Sequence, residues 1–352
     1  MANESLNYTN YLKVNELTSL QDLVSTKISK TAHDEMLFIV VHQTYELWFK
    51  QILWEVDSII KIFNKDFVTE SEVQTVNHRL KRVIEIQRLL ISQIDVLETM
   101  TPLGFLEFRN YLFSASGFQS AQFRLMENKM GLQPKERAIM GGCPYHQFLD
   151  QTDTEKVKTS ESDPNLFSCV ERWLERTPYL QVDQYDFWKE YKVAVDDMFD
   201  QEVSSIKKHI ENPINKESSL KKLEQERLNF KMITDEKTYE LYKQENFWKL
   251  SYKALMAALF IQVYRSSPKL YPAFELIMNL MDIDEKWTIW RYRHAQMVSR
   301  MIGQKVGTGG SSGSEYLKSA AEKHKVFSDF FKLSTFFISE SHLPKPPANL
   351  SF

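Results

Sequence analysis

A chain of 352 residues with 43% hydrophobic and 13% aromatic content is long enough to bury a sizeable core, as one large domain or as two. Forty-four basic residues against 47 acidic ones leave a formal charge of -3, which excludes a whole-molecule field that draws the chain to nucleic acid or an anionic membrane and points to a small-molecule partner. Cys143 and Cys169 are too few for a disulfide framework, and "MANESLNYTN" lacks the basic and apolar regions of a signal peptide, so the cytoplasm is the expected compartment.

The 10 glycines and 11 prolines are too sparse for a sandwich or barrel, which needs a turn every ~8 to 12 residues, so long helices are expected. Thr31, with Asp34 three residues on, reads as a capping-box-like start. The run from Asp34 to Phe63 has no proline or glycine and is apolar on more than one face, as a helix touched on several sides would be. Val73, Val76, Leu80, Val83, Leu90, Ile94 and Leu97 then recur at three- and four-residue steps, which predicts a second helix paired with the first.

"TPLGF" at 101–105 breaks the pattern, and helical character resumes around a small-residue interruption at Ser114–Gly117 where a site could sit. Residues 131–164 cluster proline, glycine and polar side chains without a period and read as a surface excursion. Residues 182–249 are helical but charge-rich, like a solvated hairpin. Apolar helices return at 250–264, stop at "RSSPKLYP", and return from about Ala273 to Gly303. The longest apolar stretch, residues 254–264, falls well short of the roughly 20 needed to span a bilayer.

Several residues carry possible chemistry, each beside a plainer reading. "GTGGSSG" at 307–313 lacks the G-K-[ST] and the strand-to-helix setting of a phosphate loop, leaving a flexible connector or a close approach of backbone to a ligand. His294 is either a hydrogen-bonded structural residue or a ligand. His42, with Phe38 and Tyr45 on its face, is a polar ring in an aromatic wall and must find a partner in the protein or a ligand. Arg109, among aromatics in "FLEFRNYLF", is an ion-pair partner or a bidentate clamp for a carboxylate. The other six histidines, His324 among them, have no spacing that argues for more than structural roles.

Four blocks in order, "HDEMLFIVVHQTYELWFKQILWE", "FRNYLFSASGFQSAQFRLMENKMG", "LMDIDEKWTIWRYRHAQMVSRMIG" and "GTGGSSG", make the chain resemble the tryptophan 2,3-dioxygenases, over about Tyr8 to Leu343. The resemblance implies an all-α helical bundle around a b-type haem, and a homotetramer in which an N-terminal arm, residues 1–30, reaches a neighbouring subunit. It implies cleavage of the indole C2–C3 bond of L-tryptophan by O₂, giving N-formyl-L-kynurenine, with ferrous iron in the active state.

On that resemblance His294 matches the proximal iron ligand. Trp290, Ser116, Gly117, Arg124 and Tyr316 match positions lining the haem or its propionates. Phe38, His42 and Phe105 match the indole-contacting walls, with His42 the catalytic candidate, and Arg109 matches the carboxylate clamp. Thr308 matches the loop residue on the ammonium and carboxylate, in a 304–316 loop that folds over substrate. Tyr8, Tyr11 and Leu12 match the arm that completes the neighbour's pocket. Phe105 replaces a tyrosine of some relatives, and Ser314 and Glu315 replace a tyrosine and histidine. The alternative from another class is a catalytically silent all-α haem-binding or indole-sensing protein.

Overall fold

The structure, a computed structural model, describes residues 6–137, 145–182, 185–303, 305, 313–347 and 350, with residue 145 and residues 313–316 described by their backbone alone. The short helices α1 (Tyr8–Leu12), α2 (Val14–Leu17) and α3 (Val24–Ile28) lead into α4 (His33–Phe63) and α5 (Glu70–Leu97). After α6 (Pro102–Arg109) come α7 (Ala121–Met130), α8 (Gln151–Ser160) and α9 (Leu166–Glu175). A two-residue antiparallel hairpin, β1 (Gln181–Val182) with β2 (Tyr185–Asp186), precedes α10 (Phe187–His209), α11 (Pro213–Thr234) and α12 (Glu236–Gln244). The chain continues through α13 (Tyr252–Val263), α14 (Tyr271–Ile302), α15 (Gly313–Lys323) and α16 (Ser328–Lys332). The fold is all-α, with that hairpin the strand structure among the described residues.

Local chemistry sets many of these boundaries. Thr101 accepts the Gly104 N–H at 3.0 Å and Pro102 takes the first position of α6, where its missing N–H costs nothing. Gly303, at φ +60, ends α14 in the left-handed region that glycine enters freely. Thr31 does not cap α4: its hydroxyl pairs with Thr26 at 3.1 Å, and the helix begins at His33.

Two compact units share the chain. The first comprises residues 1–55, 83–163 and 285–324, the second residues 56–82, 164–284 and 325–352. In the first, the Tyr45 hydroxyl on α4 donates to the Leu90 carbonyl on α5 at 2.7 Å, and Gln93 donates to the Val41 carbonyl at 3.1 Å. These bonds lock the pairing of two apolar stripes, Val41, Phe49 and Ile52 against Val83, Leu90 and Ile94, all buried. Within residues 131–164, α8 packs on α7, and Asn128 donates to the Val157 carbonyl at 3.1 Å and the Ser160 hydroxyl at 2.8 Å.

In the second unit α13 is apolar all round and buried from Ala254 to Val263, as the central helix of a core must be. It packs against α9 and α12. Helices α10 and α11 pair through Phe199 and Phe230, edge to face at 5.3 Å, while Arg227 bridges Asp196 and Asp200 in solvent, where such pairs add little. No single helix among the described residues is long and apolar enough to cross a membrane.

Candidate active site

A cavity of about 310 Å³ lies inside the first unit, walled by α4, α5, α6, α7, α14 and α15 and by the turn at Ser116–Gly117. That volume is at the lower edge of the range for small-molecule sites.

One wall is a single face of α4: Phe38, His42, Tyr45, Glu46 and Phe49, spaced by three and four residues. The His42 ring lies 4.0 Å from that of Phe38, and its Nδ1 donates to the Phe38 carbonyl at 2.7 Å. A carbonyl only accepts, so the neutral ring carries its proton on Nδ1 and keeps Nε2 as an acceptor. The ring is open to the cavity, but the surrounding walls desolvate it. That burial lowers its pKa, outweighing the Phe38 carbonyl and the charge of Glu46, which both raise it. Gln122 holds Glu46 in place, donating to its carboxylate at 2.8 Å and to its carbonyl at 2.9 Å.

Helix α6 supplies Phe105 and Arg109, one turn apart. Phe105 stacks on Phe38 at 5.8 Å and meets Phe108 edge to face at 5.4 Å, so two helices present one continuous aromatic wall. Arg109 closes that wall with a guanidinium. Beyond it, Ser116 caps a turn of 3₁₀ helix by accepting the Phe118 N–H at 3.4 Å, with Gln119 reciprocating on the Ser116 N–H at 3.0 Å. At Gly117 a Cβ would meet no heavy atom within 4 Å. The backbone there faces open space in the cavity.

The opposite stripe belongs to α14: Trp290, Arg291, His294, Met297, Val298 and Met301. His294 stacks on Trp290, one turn earlier, at 5.1 Å. Burial, aided by His42, depresses its pKa to about 4, so the ring is neutral near pH 7, and its buried Nδ1 has no hydrogen-bond partner among the described residues. An unpaired polar atom in a core costs about 1–3 kcal/mol unless something else repays it. Among the described residues no three histidine, cysteine or acidic side chains converge as metal ligands. A lone neutral imidazole suits a metal that arrives with its other ligands, as in a porphyrin.

Below this stripe sits a buried knot of charge. Glu127 on α7 takes Arg124 at 3.1 Å and Arg137 at 2.5 Å on Oε2, and Arg291 at 3.1 Å and the His324 Nδ1 at 3.2 Å on Oε1. Burial alone would raise this carboxyl, but Arg137, His324, Arg124 and Arg291 together hold it well below the usual carboxylate range. Burial in turn lowers His324, partly offset by Glu127.

The cavity thus brings together Phe38, His42, Phe105, Arg109, Ser116, Gly117, Arg124, Trp290 and His294. Thr308 lies outside the described residues, as does the side chain of Tyr316. Tyr8, Tyr11 and Leu12 lie on α1, exposed at 74%, 67% and 46%, and do not line this cavity. Sequence reasoning missed Glu46, Glu127, Arg291 and His324. Glu46 had a signal, one turn after His42 on the same helical face; Glu127 reads only as a charge on a helix surface.

The tryptophan 2,3-dioxygenase family profile matches residues 1–337. The chain is similar to a tryptophan 2,3-dioxygenase of Bdellovibrio bacteriovorus, 48% identical over 343 residues that cover 97% of this chain and 96% of that one. It is also similar to one of Dictyostelium discoideum, 41% identical over 98% of this chain and 87% of that one, and to tryptophan 2,3-dioxygenase A of Danio rerio, 44% identical over 96% and 84%.

Proposed function

The chain belongs to the tryptophan 2,3-dioxygenase family, and from that membership we infer that it opens the C2–C3 bond of the L-tryptophan indole with O₂ to give N-formyl-L-kynurenine, the first step of tryptophan catabolism by the kynurenine route. The observation that carries the reading is His294: a buried, neutral imidazole with a ring nitrogen unpaired among the described residues, on the same cavity as the acceptor-bearing His42.

We propose that the cofactor is a b-type haem, ferrous in the active state, and the residues present fit one. His294 would hold the iron through a ring nitrogen, Trp290 stacks on His294, the bare backbone at Ser116–Gly117 would leave room for a flat ring, and Arg124 would suit a propionate. Tyr316 is assigned to the same group by the family resemblance. When bound, the haem supplies the redox chemistry towards O₂ that no side chain here offers.

The remaining work falls to the chain itself. Phe38 and Phe105 present one aromatic wall to the indole, and Arg109 pairs with the α-carboxylate. Neutral His42 accepts the indole N–H on Nε2 and so fixes which edge of the ring faces the reaction centre. Thr308, in the glycine-rich loop of residues 304–316, contacts the ammonium and carboxylate as the loop closes and excludes water. Tyr8, Tyr11 and Leu12 of the N-terminal arm complete a neighbour's pocket in a cytoplasmic homotetramer, a reading supported by their exposure.

The test is haem content and product identity on one preparation. A Soret band together with near-ultraviolet growth of formylkynurenine from reduced protein, L-tryptophan and air is expected. Haem without product would leave a silent haem-binding protein, and no haem would overturn the cofactor.

A further inference from the structure

Asp34 has no part in the reaction as derived, and Thr31, three residues before it, pairs with Thr26 instead of forming a capping box with it. Its carboxylate goes to another helix. A Cβ placed on Gly104 would collide with the Asp34 Oδ2 and lie 3.4 Å from the Asp34 Cγ, so this half-buried carboxylate packs directly on the bare Cα of α6. Glycine inside a helix is destabilising relative to alanine, and more conspicuously so in a helix of 8 residues. Room for the Asp34 oxygen is what this glycine provides.

The contact lies at the root of the aromatic wall. Asp34 precedes Phe38 by one turn of α4, and Gly104 immediately precedes Phe105 on α6. Beside it the rings of Phe38 and Phe105 stack at 5.8 Å, and the buried Phe108 meets Phe38 edge to face at 5.5 Å. Thr101 already takes the Gly104 N–H on its hydroxyl and the Phe105 N–H on its carbonyl, both at 3.0 Å, so α6 does not need Asp34 as a cap. What the carboxylate meets is the positive N-terminal end of α6, to which a negative charge is attracted. Asp34 also lies in the first turn of α4, so one side chain joins the starts of the two helices that form the wall.

We propose that Asp34 is a positioning residue: seated on Gly104, it fixes the approach of α6 to α4, and with it the stack of Phe105 on Phe38 and the reach of Arg109 into the cavity. The inference rests on the reading of that cavity as an L-tryptophan site. Asp34 is not among the residues that line the cavity and acts through α6, without touching substrate.

Haem-loaded protein is titrated with L-tryptophan and with tryptamine, beside a thermal melt and a haem assay of each variant. Gly104→Ala should keep its haem and melt at or above the wild-type temperature, because the colliding atom is the movable tip of a side chain and alanine favours the helix. Its affinity for L-tryptophan should nevertheless fall by roughly tenfold, within the 10²-fold that an ångström of misplacement can cost. The loss should be smaller for tryptamine, which has no carboxylate for Arg109. Asp34→Ala should show the same pattern, and adding Gly104→Ala to it should take away nothing more, since the collision is gone. Losses that multiply in the double variant, a loss for tryptamine as large as that for L-tryptophan, or an unchanged affinity in either single variant overturns the proposal. If Asp34→Ala fails to fold, Asp34→Asn takes its place, keeping the volume without the charge, and should lose about 2- to 5-fold, the equivalent of one helix-end charge. No loss there overturns the proposal as well. Wild type that binds neither ligand defeats the L-tryptophan reading itself, whereas wild type that binds L-tryptophan beside unaffected variants defeats only the role of Asp34.

Discussion

The Nδ1 of His42 donates to the Phe38 carbonyl 2.7 Å away, so the residue whose ring lies against the imidazole also fixes its tautomer. Nε2 is left as an acceptor, suited to orienting an indole N–H. An indole N–H is a very weak acid, and an orienting bond is worth less than an obligatory base. His42→Ser should lower kcat/KM by something up to roughly 10²-fold with haem retained, and N1-methyltryptophan, which cannot donate the bond, should lose little on that substitution. A variant wholly inactive with normal haem and substrate binding would reinstate an obligatory base.

The pH profile follows from the same ring. Burial lowers the His42 pKa, so the acceptor form persists below pH 6.5, and activity should fall only as the pH drops past the depressed value. The Glu46 charge raises that pKa, so Glu46→Gln should move the acid limb of kcat/KM to lower pH. A shift to higher pH, or none, would remove Glu46 from the electrostatics of His42.

Arg109 closes the aromatic wall of Phe38 and Phe105 with a group suited to a carboxylate. Arg109→Leu should weaken L-tryptophan binding by about 2 to 5 kcal/mol and leave haem in place. Tryptamine, which lacks the carboxylate, should be handled alike by both proteins. The clamp is wrong if the KM for L-tryptophan stays put.

Gly117 separates folding from ligand capture. A Cβ there would meet no described atom within 4 Å, so Gly117→Ala should change stability by no more than the roughly 0.5 kcal/mol typical of an unencumbered site. Haem affinity should nevertheless drop, because the new side chain enters the cavity. Thermal melts of the haem-free protein and Soret titrations read the two effects apart, and intact affinity would move the ligand away from this backbone.

His294→Gly should abolish stable haem binding, since no second histidine lies one helical turn away to replace it. Added imidazole should restore the Soret band by filling the vacated position. Near-normal haem content in the variant without imidazole would place the ligand elsewhere.

Much of this was legible in the sequence, and the exceptions have physical causes. The stripe from Val73 to Leu97 is regular and buried throughout, because a long amphipathic helix repeats its signal every turn. Helix α8 is hidden in a polar stretch because only Val157 and Ser160 turn inward. His42, Phe105, Arg109 and His294 were found through a family resemblance; spacing alone left each of them open. Glu127 was missed because two of its partners lie 164 and 197 residues away, and nothing local distinguishes a carboxylate about to be buried from one left in water.

Those separations bear on the order in which the protein is made. Residues 164–284, between α7's segment and the helix carrying Arg291 and His294, belong to the second unit. Contacts that close so long a stretch of chain carry a large entropy cost and form late. On the ribosome, Glu127 emerges more than a hundred residues before Arg291 and His324, so the cavity gains its last wall only when synthesis has passed residue 324. On the proposed cofactor, haem capture would then be a late event in biogenesis, and a chain cut short of that point lacks the wall that makes the site.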